Sequence, residues 1–344
     1  MSWKSRAVGA ALALALLPAC AAGSPLQVRV DSTEAEAALA ILEAQNAGRE
    51  PAEADWARLF ASEGYLRLKQ REAAMKRAFT DEEFKAFLRS PEARQAAPDL
   101  RKALAAWKAR SQEEASRAAL AYLPKGATLR ATVYFMIKPR TNSFVFETRT
   151  NPAIFLYLDP NVPGAKAQNT MAHELHHIGL SSACSAEAPK TAAPAVAALR
   201  PWISAFGEGL AMMAAAGGPK VHPHALGEAE ERAEWDANVA RFDEHLAEQD
   251  RFFRQVLAGQ AGDEAAIEAK MRGYFGVQGP WYTVGWRMAE VIETAFGRQR
   301  AIDAFCRSET LLSVYNEAAR RLAATSGRRL PLWDDELARR LAEG

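Results

Sequence analysis

The stretch Met171-Ala172-His173-Glu174-Leu175-His176-His177-Ile178-Gly179 carries the pattern H-E-x-x-H. On an α-helix, residues four apart lie about 40° from each other around the axis and one turn apart along it. His173 and His177 can therefore aim both imidazoles at a single metal ion. Glu174 lies about 100° round from His173. It is badly placed to share the metal and well placed to lean over a water held there. Zinc brings the pKa of such a water near 7, and a neighbouring carboxylate can take its proton, which makes it a nucleophile for a polarised carbonyl. Met171, Leu175 and Ile178 recur at i, i+4 and i+7 as an apolar stripe away from the two histidines, and Gly179 is expected to end the helix as its C′ residue.

A catalytic zinc usually keeps three protein ligands and one open position. The longer pattern H-E-x-x-H-x-x-G-x-x-H is absent, because Leu180 and Ala183 stand where the glycine and third histidine would be. A carboxylate on a later helix is the better expectation. Glu208 is the candidate: it sits in Gly207-Glu208-Gly209-Leu210-Ala211, read as mid-helix, and each glycine inside a helix costs about 1 kcal/mol relative to alanine. Paired glycines around one acid suggest a close backbone approach to a neighbouring helix, as a shared metal would need. Glu187, in a Ser/Ala/Pro-rich loop, is the alternative. His176 points about 60° from His173 and is expected behind the ligands or facing solvent. His222-Pro223-His224 reads as a surface loop, His245 as solvated on a charged helix, and Met212 and Met213 as core.

Glu208-Gly209-Leu210-Ala211 resembles the N-E-G-x-A-type segment of gluzincin metallopeptidases. Together with His173–His177, Asn142-Ser143-Phe144-Val145-Phe146 and Trp281-Tyr282-Thr283-Val284-Gly285, it resembles a bacterial group of zinc-dependent peptidases, from about Ser32 to the C-terminus. The resemblance implies one zinc ion per chain on His173, His177 and Glu208, with Glu174 as general base and proton shuttle. It also implies a tyrosine or histidine downstream that donates to the oxyanion of a tetrahedral intermediate. Tyr282 is the first choice for that donor and Tyr274 the second.

The elements that must position these residues are mostly helical. From Ser32 to Tyr122 the apolar spacing is that of helices, and Thr33-x-x-Glu36 and Thr80-x-x-Glu83 read as capping boxes. Thr132–Lys138, Ser143–Phe146 and Ala153–Leu158 are β-branched and aromatic, and they are the only convincing strands. A small sheet just before the metal-binding helix suits a zincin, whose edge strand can pair with an extended substrate. Pro201 to Ala216, one or two helices over 225–258, Trp281 to Phe296 and the terminal segments 300–325 and 334–342 read as further helices. The fold class is therefore α+β, predominantly helical, with a small mixed sheet, a zincin-like active-site helix and helical regions at both ends.

The chain has 344 residues, of which a quarter are charged, and a formal charge of +1. No basic block appears, which argues against nucleic acid as a partner. Lys4 and Arg6 precede the apolar run Ala7–Leu17, too short to span a bilayer. Leu17-Pro18-Ala19-Cys20 resembles a bacterial lipobox, with ordinary cleavage near Ala19-Cys20-Ala21 as the alternative. We therefore read 1–20 as an export signal, 21–31 as a tether, 32–123 as a helical N-terminal region and 124–344 as the metallopeptidase region. Within the last lie a sheet over 128–160, the active-site helix at about 165–178 and the third-ligand helix at about 201–216. Export places the protein in the cell envelope, anchored to the membrane by a lipid on Cys20. It also means an oxidising compartment, where Cys184 and Cys306 form either one bridge or two buried thiols. The expected function is zinc-dependent hydrolysis of a peptide or protein substrate. The alternatives are a zinc-binding lipoprotein without turnover and a zinc hydrolase acting on another amide or ester.

Overall fold

A computed structural model describes residues 26–184 and 193–343. The export segment, Cys20 and Glu187 lie outside the described residues. Among the described residues the first element is β1 (Leu26–Asp31), followed by α1 (Thr33–Asn46), α2 (Glu53–Phe60), α3 (Glu63–Ala74), α4 (Asp81–Leu88), α5 (Pro91–Lys108) and α6 (Gln112–Leu120). Next come β2 (Leu129–Met136), β3 (Phe144–Phe146), β4 (Ala153–Tyr157) and the metal-binding helix α7 (Gly164–Ala183). α8 (Pro194–Ile203) leads through a 3₁₀ turn, Ser204–Phe206, into α9 (Gly207–Ala216). The rest is helical: α10 (Ala229–Ala240), α11 (Phe242–Leu257), α12 (Glu264–Gly273), α13 (Pro280–Phe296), α14 (Arg298–Cys306), α15 (Ser308–Ser326) and α16 (Asp335–Glu343). The fold is α+β and predominantly helical, with one mixed sheet of order β1-β2-β4-β3.

The tether reading of residues 26–31 is corrected by the sheet. β1 pairs in parallel with β2, Leu26 opposite Leu129 and Asp31 opposite Tyr134. β2 pairs in parallel with β4, and β3 joins β4 antiparallel as the other edge. A parallel partner about a hundred residues away leaves no local turn signal, so β1 could not be read from its neighbours. β2 is covered on both faces, which explains its nearly continuous apolar run. Tyr134 and Met136 meet α3 at Gly64, whereas Leu129 faces Gly179 of α7 and Phe135 packs on Trp107 of α5.

Two apolar cores result. The first joins α1–α7 to the sheet, and the second joins α8, α9 and α11–α16 and takes in Tyr122. α7 belongs to the first and α9 to the second, so the candidate ligands face each other across the seam. The Cys184–Cys306 disulfide ties the end of α7 to the end of α14.

Several local readings change. Gly179 does not stop α7, which runs on to Ala183. A Cβ at Gly179 would stand 2.1 Å from Leu123 Cδ1 and 2.8 Å from Leu129 Cδ2, so the glycine serves close packing. The helix expected to span 201–216 is broken by the 3₁₀ turn, which places Glu208 in the first turn of α9 and not mid-helix. Ser32, not Thr33, precedes α1, and its hydroxyl donates to Glu36. The Thr80–Glu83 capping box forms as read. His245 is buried on α11, 6 % exposed, because its helix packs into the second core and does not stand in solvent.

Candidate metal centre

α7 carries His173 and His177 one turn apart on the face left free by the buried stripe of Met171, Leu175 and Ile178. α9 brings Glu208 to the same point. Nε2 of His173 and Nε2 of His177 each lie 3.1 Å from Glu208 Oε2, and the two nitrogens lie 3.0 Å apart. Among the described residues this is the one His/Cys/Asp/Glu group of three or more whose ligand atoms converge this closely. Bonds of about 2.0–2.1 Å to a tetrahedral zinc hold its donors about 3.3 Å apart. The triangle needs only a slight opening to accept the ion, and the donor set is one zinc favours.

Electrostatics keep the triangle closed. Burial works against the imidazolium of His177, but the Glu208 carboxylate more than compensates and lifts its pKa to about 9. Burial likewise opposes the Glu208 carboxylate, yet the attraction of His177 and hydrogen bonds to both histidines hold it well below the usual carboxylate range. Nδ1 of His173 is buried and has no partner among the described residues.

His176 is fully buried behind the ligands and does not face solvent. Its Nε2 lies 3.0 Å from the Tyr122 carbonyl, which can only accept, so that nitrogen carries the proton. Burial pushes its pKa down to about 3 and keeps the ring neutral. This bond ties α7 to the residues following α6.

The glycine pair around Glu208 divides its work. A Cβ on Gly207 would make an ordinary 3.7 Å contact with Leu180 of α7. A Cβ on Gly209 would stand 1.9 Å from Trp286 N, 2.2 Å from Gly285 C and 2.6 Å from Tyr282 O. Gly285 answers with its own close approach, 2.2 Å from Phe206 O. The close approach inferred from these glycines is therefore real but lies between α9 and α13, not between α9 and α7. By that contact α13 carries Tyr282 to the site.

The Tyr282 ring lies 6.4 Å from the His173 ring, centroid to centroid, and burial together with the facing Glu208 and Glu174 carboxylates raises its phenol pKa. Tyr274, the second choice, is packed on Trp281 in the second core, with its hydroxyl 3.5 Å from Glu248. It is absent from the cleft at the site.

That cleft, about 290 Å³, is lined by His173, Glu174 and Tyr282. Its other walls are Lys166, Asn169 and Thr170 of α7, Met212 and Ala215 of α9, and Pro223, His224, Leu226 and Gly227 with Gln278. Two of these wall residues differ from the sequence reading. Met212 is in the cleft wall, while Met213 is fully buried in the core as expected. His224 belongs to the wall too, with Nε2 buried and without a partner among the described residues. Lys166 pairs with Glu231 of α10 beside it. Met212 could have been found from its place four residues after Glu208; nothing local marks His224. β3, the edge strand, contributes no residue to this cleft.

The fold and the site thus define an α+β protein with a three-donor His/His/Glu centre of the kind that holds zinc, opening on a cleft. The chain belongs to the family described as "Putative zinc dependent peptidase (DUF5700)", whose profile matches residues 56–324. No curated protein and no solved structure matches it.

Proposed function

We propose that this protein hydrolyses peptide bonds at one zinc ion held by His173, His177 and Glu208. The observation that carries the reading is the convergence of those three donor atoms beside a cleft that also contains Glu174 and Tyr282. Bound zinc would supply Lewis acidity, polarising the scissile carbonyl and acidifying the attacking water. Glu174 follows His173 on α7 and is not among the three converging atoms, so its carboxylate stays free to accept the proton of that water and return it to the departing amine. Tyr282, held protonated, donates a hydrogen bond to the developing oxyanion. A structural zinc would instead take four protein ligands and leave Glu174 without a task.

The N-terminal sequence supports export and a lipid anchor on Cys20. The Cys184–Cys306 disulfide accords with an oxidising compartment. The substrate is then a peptide or protein in the bacterial envelope.

The test is incubation of the zinc-loaded protein with a complex peptide mixture beside Glu174→Gln, with new termini read by mass spectrometry. Glu174→Gln should retain one zinc and lose about 10²–10⁴-fold in rate. Equal cleavage by both would remove Glu174 from the mechanism, and no cleavage by the unmodified protein would turn the reading toward a non-peptide amide or a binding role.

A further inference from the structure

The cleft is not uniform, and its asymmetry follows from two helix faces. Asn169 and Lys166 lie four and seven residues before His173, so they continue its face toward the start of α7. Met212 and Ala215 lie four and seven residues after Glu208 and continue its face toward the end of α9. The two stripes line the same cleft, so the helices run antiparallel across it, with the ligand atoms at one end. Seven residues of helix span about 10 Å, the length of about three residues of extended peptide. One wall is polar and the other is apolar.

The apolar wall is unusual within its own helix. α9 reads Gly-Glu-Gly-Leu-Ala-Met-Met-Ala-Ala-Ala, and its Leu210, Ala211, Met213 and Ala214 are fully buried. Met212 and Ala215 are open only in part, on the side where the cleft lies. Ala215 is small and leaves room, and Met212 is long and adaptable. Leu226, 46 % exposed, adds apolar surface across the gap. Among the described residues the one lysine or arginine in the wall, Lys166, is neutralised by Glu231 and offers little to an acidic side chain.

We propose that this groove is a specificity subsite, which seats an uncharged apolar side chain of the substrate, next to the bond being cleaved, against Met212 and Ala215, with the peptide backbone along Asn169 and Thr170. The assignment rests on the peptidase reading and adds the substrate class: segments with Leu-, Met- or Phe-like side chains beside the scissile bond, and not acidic or basic ones. Partial burial of such a side chain gives about a ten-fold preference, and a charged one loses hydration there without a partner.

Binding tests this independently of turnover. Acetohydroxamate, N-acetyl-leucine hydroxamate and N-acetyl-aspartate hydroxamate share a zinc-binding group; the last two differ only in the side chain they offer the groove, and the first offers none. Their affinities for the zinc-loaded protein are measured by calorimetry, beside Ala215→Trp, which fills the groove, and Met212→Glu, which charges it. Zinc stoichiometry shows that each variant keeps its fold at the site. The leucine probe should bind about ten-fold more tightly than the other two, and each substitution should erase that advantage. Equal affinity for the leucine and aspartate probes, or an advantage that survives both substitutions, would overturn the assignment. Absence of acetohydroxamate binding to a protein that carries zinc would instead mark failure of the catalytic-metal reading, and the subsite would fall with it.

Discussion

Replacing Gly209 with alanine isolates the contact that brings Glu208 and Tyr282 to one place. In a helix the substitution should help, by about 1 kcal/mol, because alanine is the better helix former. Here the added Cβ would stand 1.9 Å from Trp286 N and 2.2 Å from Gly285 C, both backbone atoms of α13 that cannot rotate away. Ordinary contact begins near 3.4 Å, a shortfall of about 1.5 Å, so α9 and α13 must separate or tilt by that order. Overpacking of this kind costs about 1–3 kcal/mol, and backbone-on-backbone contact belongs at the upper end. The displacement also reaches chemistry, since a misplacement of about 1 Å can cost about 10²-fold in rate. Gly207→Ala is the matched control: its Cβ meets only Leu180 Cδ2 at 3.7 Å, so it should be neutral or slightly stabilising. Chemical denaturation of the zinc-free proteins measures stability, and competition with a fluorescent chelator measures zinc affinity. Gly209→Ala should lose about 2–3 kcal/mol and bind zinc more weakly than Gly207→Ala. If the two variants match in both measurements, the α9–α13 contact does not set the position of Glu208.

Other consequences follow from the same geometry. Without metal, the folded pKa of His177, about 9, exceeds its ordinary 6.5. The contribution of the His177–Glu208 pairing to stability is therefore complete below pH 6.5 and lost as pH rises through 9. Zinc must displace the His177 proton, so its affinity changes the opposite way. The melting temperature of the metal-free protein should fall across this range while the rise produced by zinc grows, and a zinc-induced rise that shrinks with pH would contradict the assignment. His176→Phe leaves the buried Tyr122 carbonyl without its donor and should cost about 1–3 kcal/mol in denaturant unfolding, with zinc stoichiometry unchanged at one. Unaltered stability would mean the bond is not structural. Reduction of Cys184–Cys306, 122 residues apart in sequence, should lower stability by about 2–5 kcal/mol, read as a drop in denaturation midpoint in dithiothreitol that a Cys184→Ala/Cys306→Ala variant reproduces without reductant.

What the sequence by itself determined was set by local periodicity. The four-residue spacing of His173 and His177 and the stripe of Met171, Leu175 and Ile178 need only the pitch of a helix to be read. The buried strands β2 and β4 announce themselves by apolar runs, and Thr80–Glu83 by its capping chemistry. Glu208 was found through its flanking glycines, although the reason attached to them was only half right: Gly209 answers to α13, and no pattern within ten residues of it names that partner. Tertiary structure alone decided the rest, because each remaining feature depends on elements distant in the chain. β1 is a strand because β2 supplies its hydrogen bonds from a hundred residues away. Gly179 serves packing inside a helix because Leu123 and Leu129 leave no room for a Cβ, and His176 and His245 are buried because whole helices pack over them. Met212 and Met213 are adjacent and chemically identical, yet one faces the cleft and the other the core. That difference of about 100° around α9 has no meaning until α7 and α13 have taken their places on either side of it.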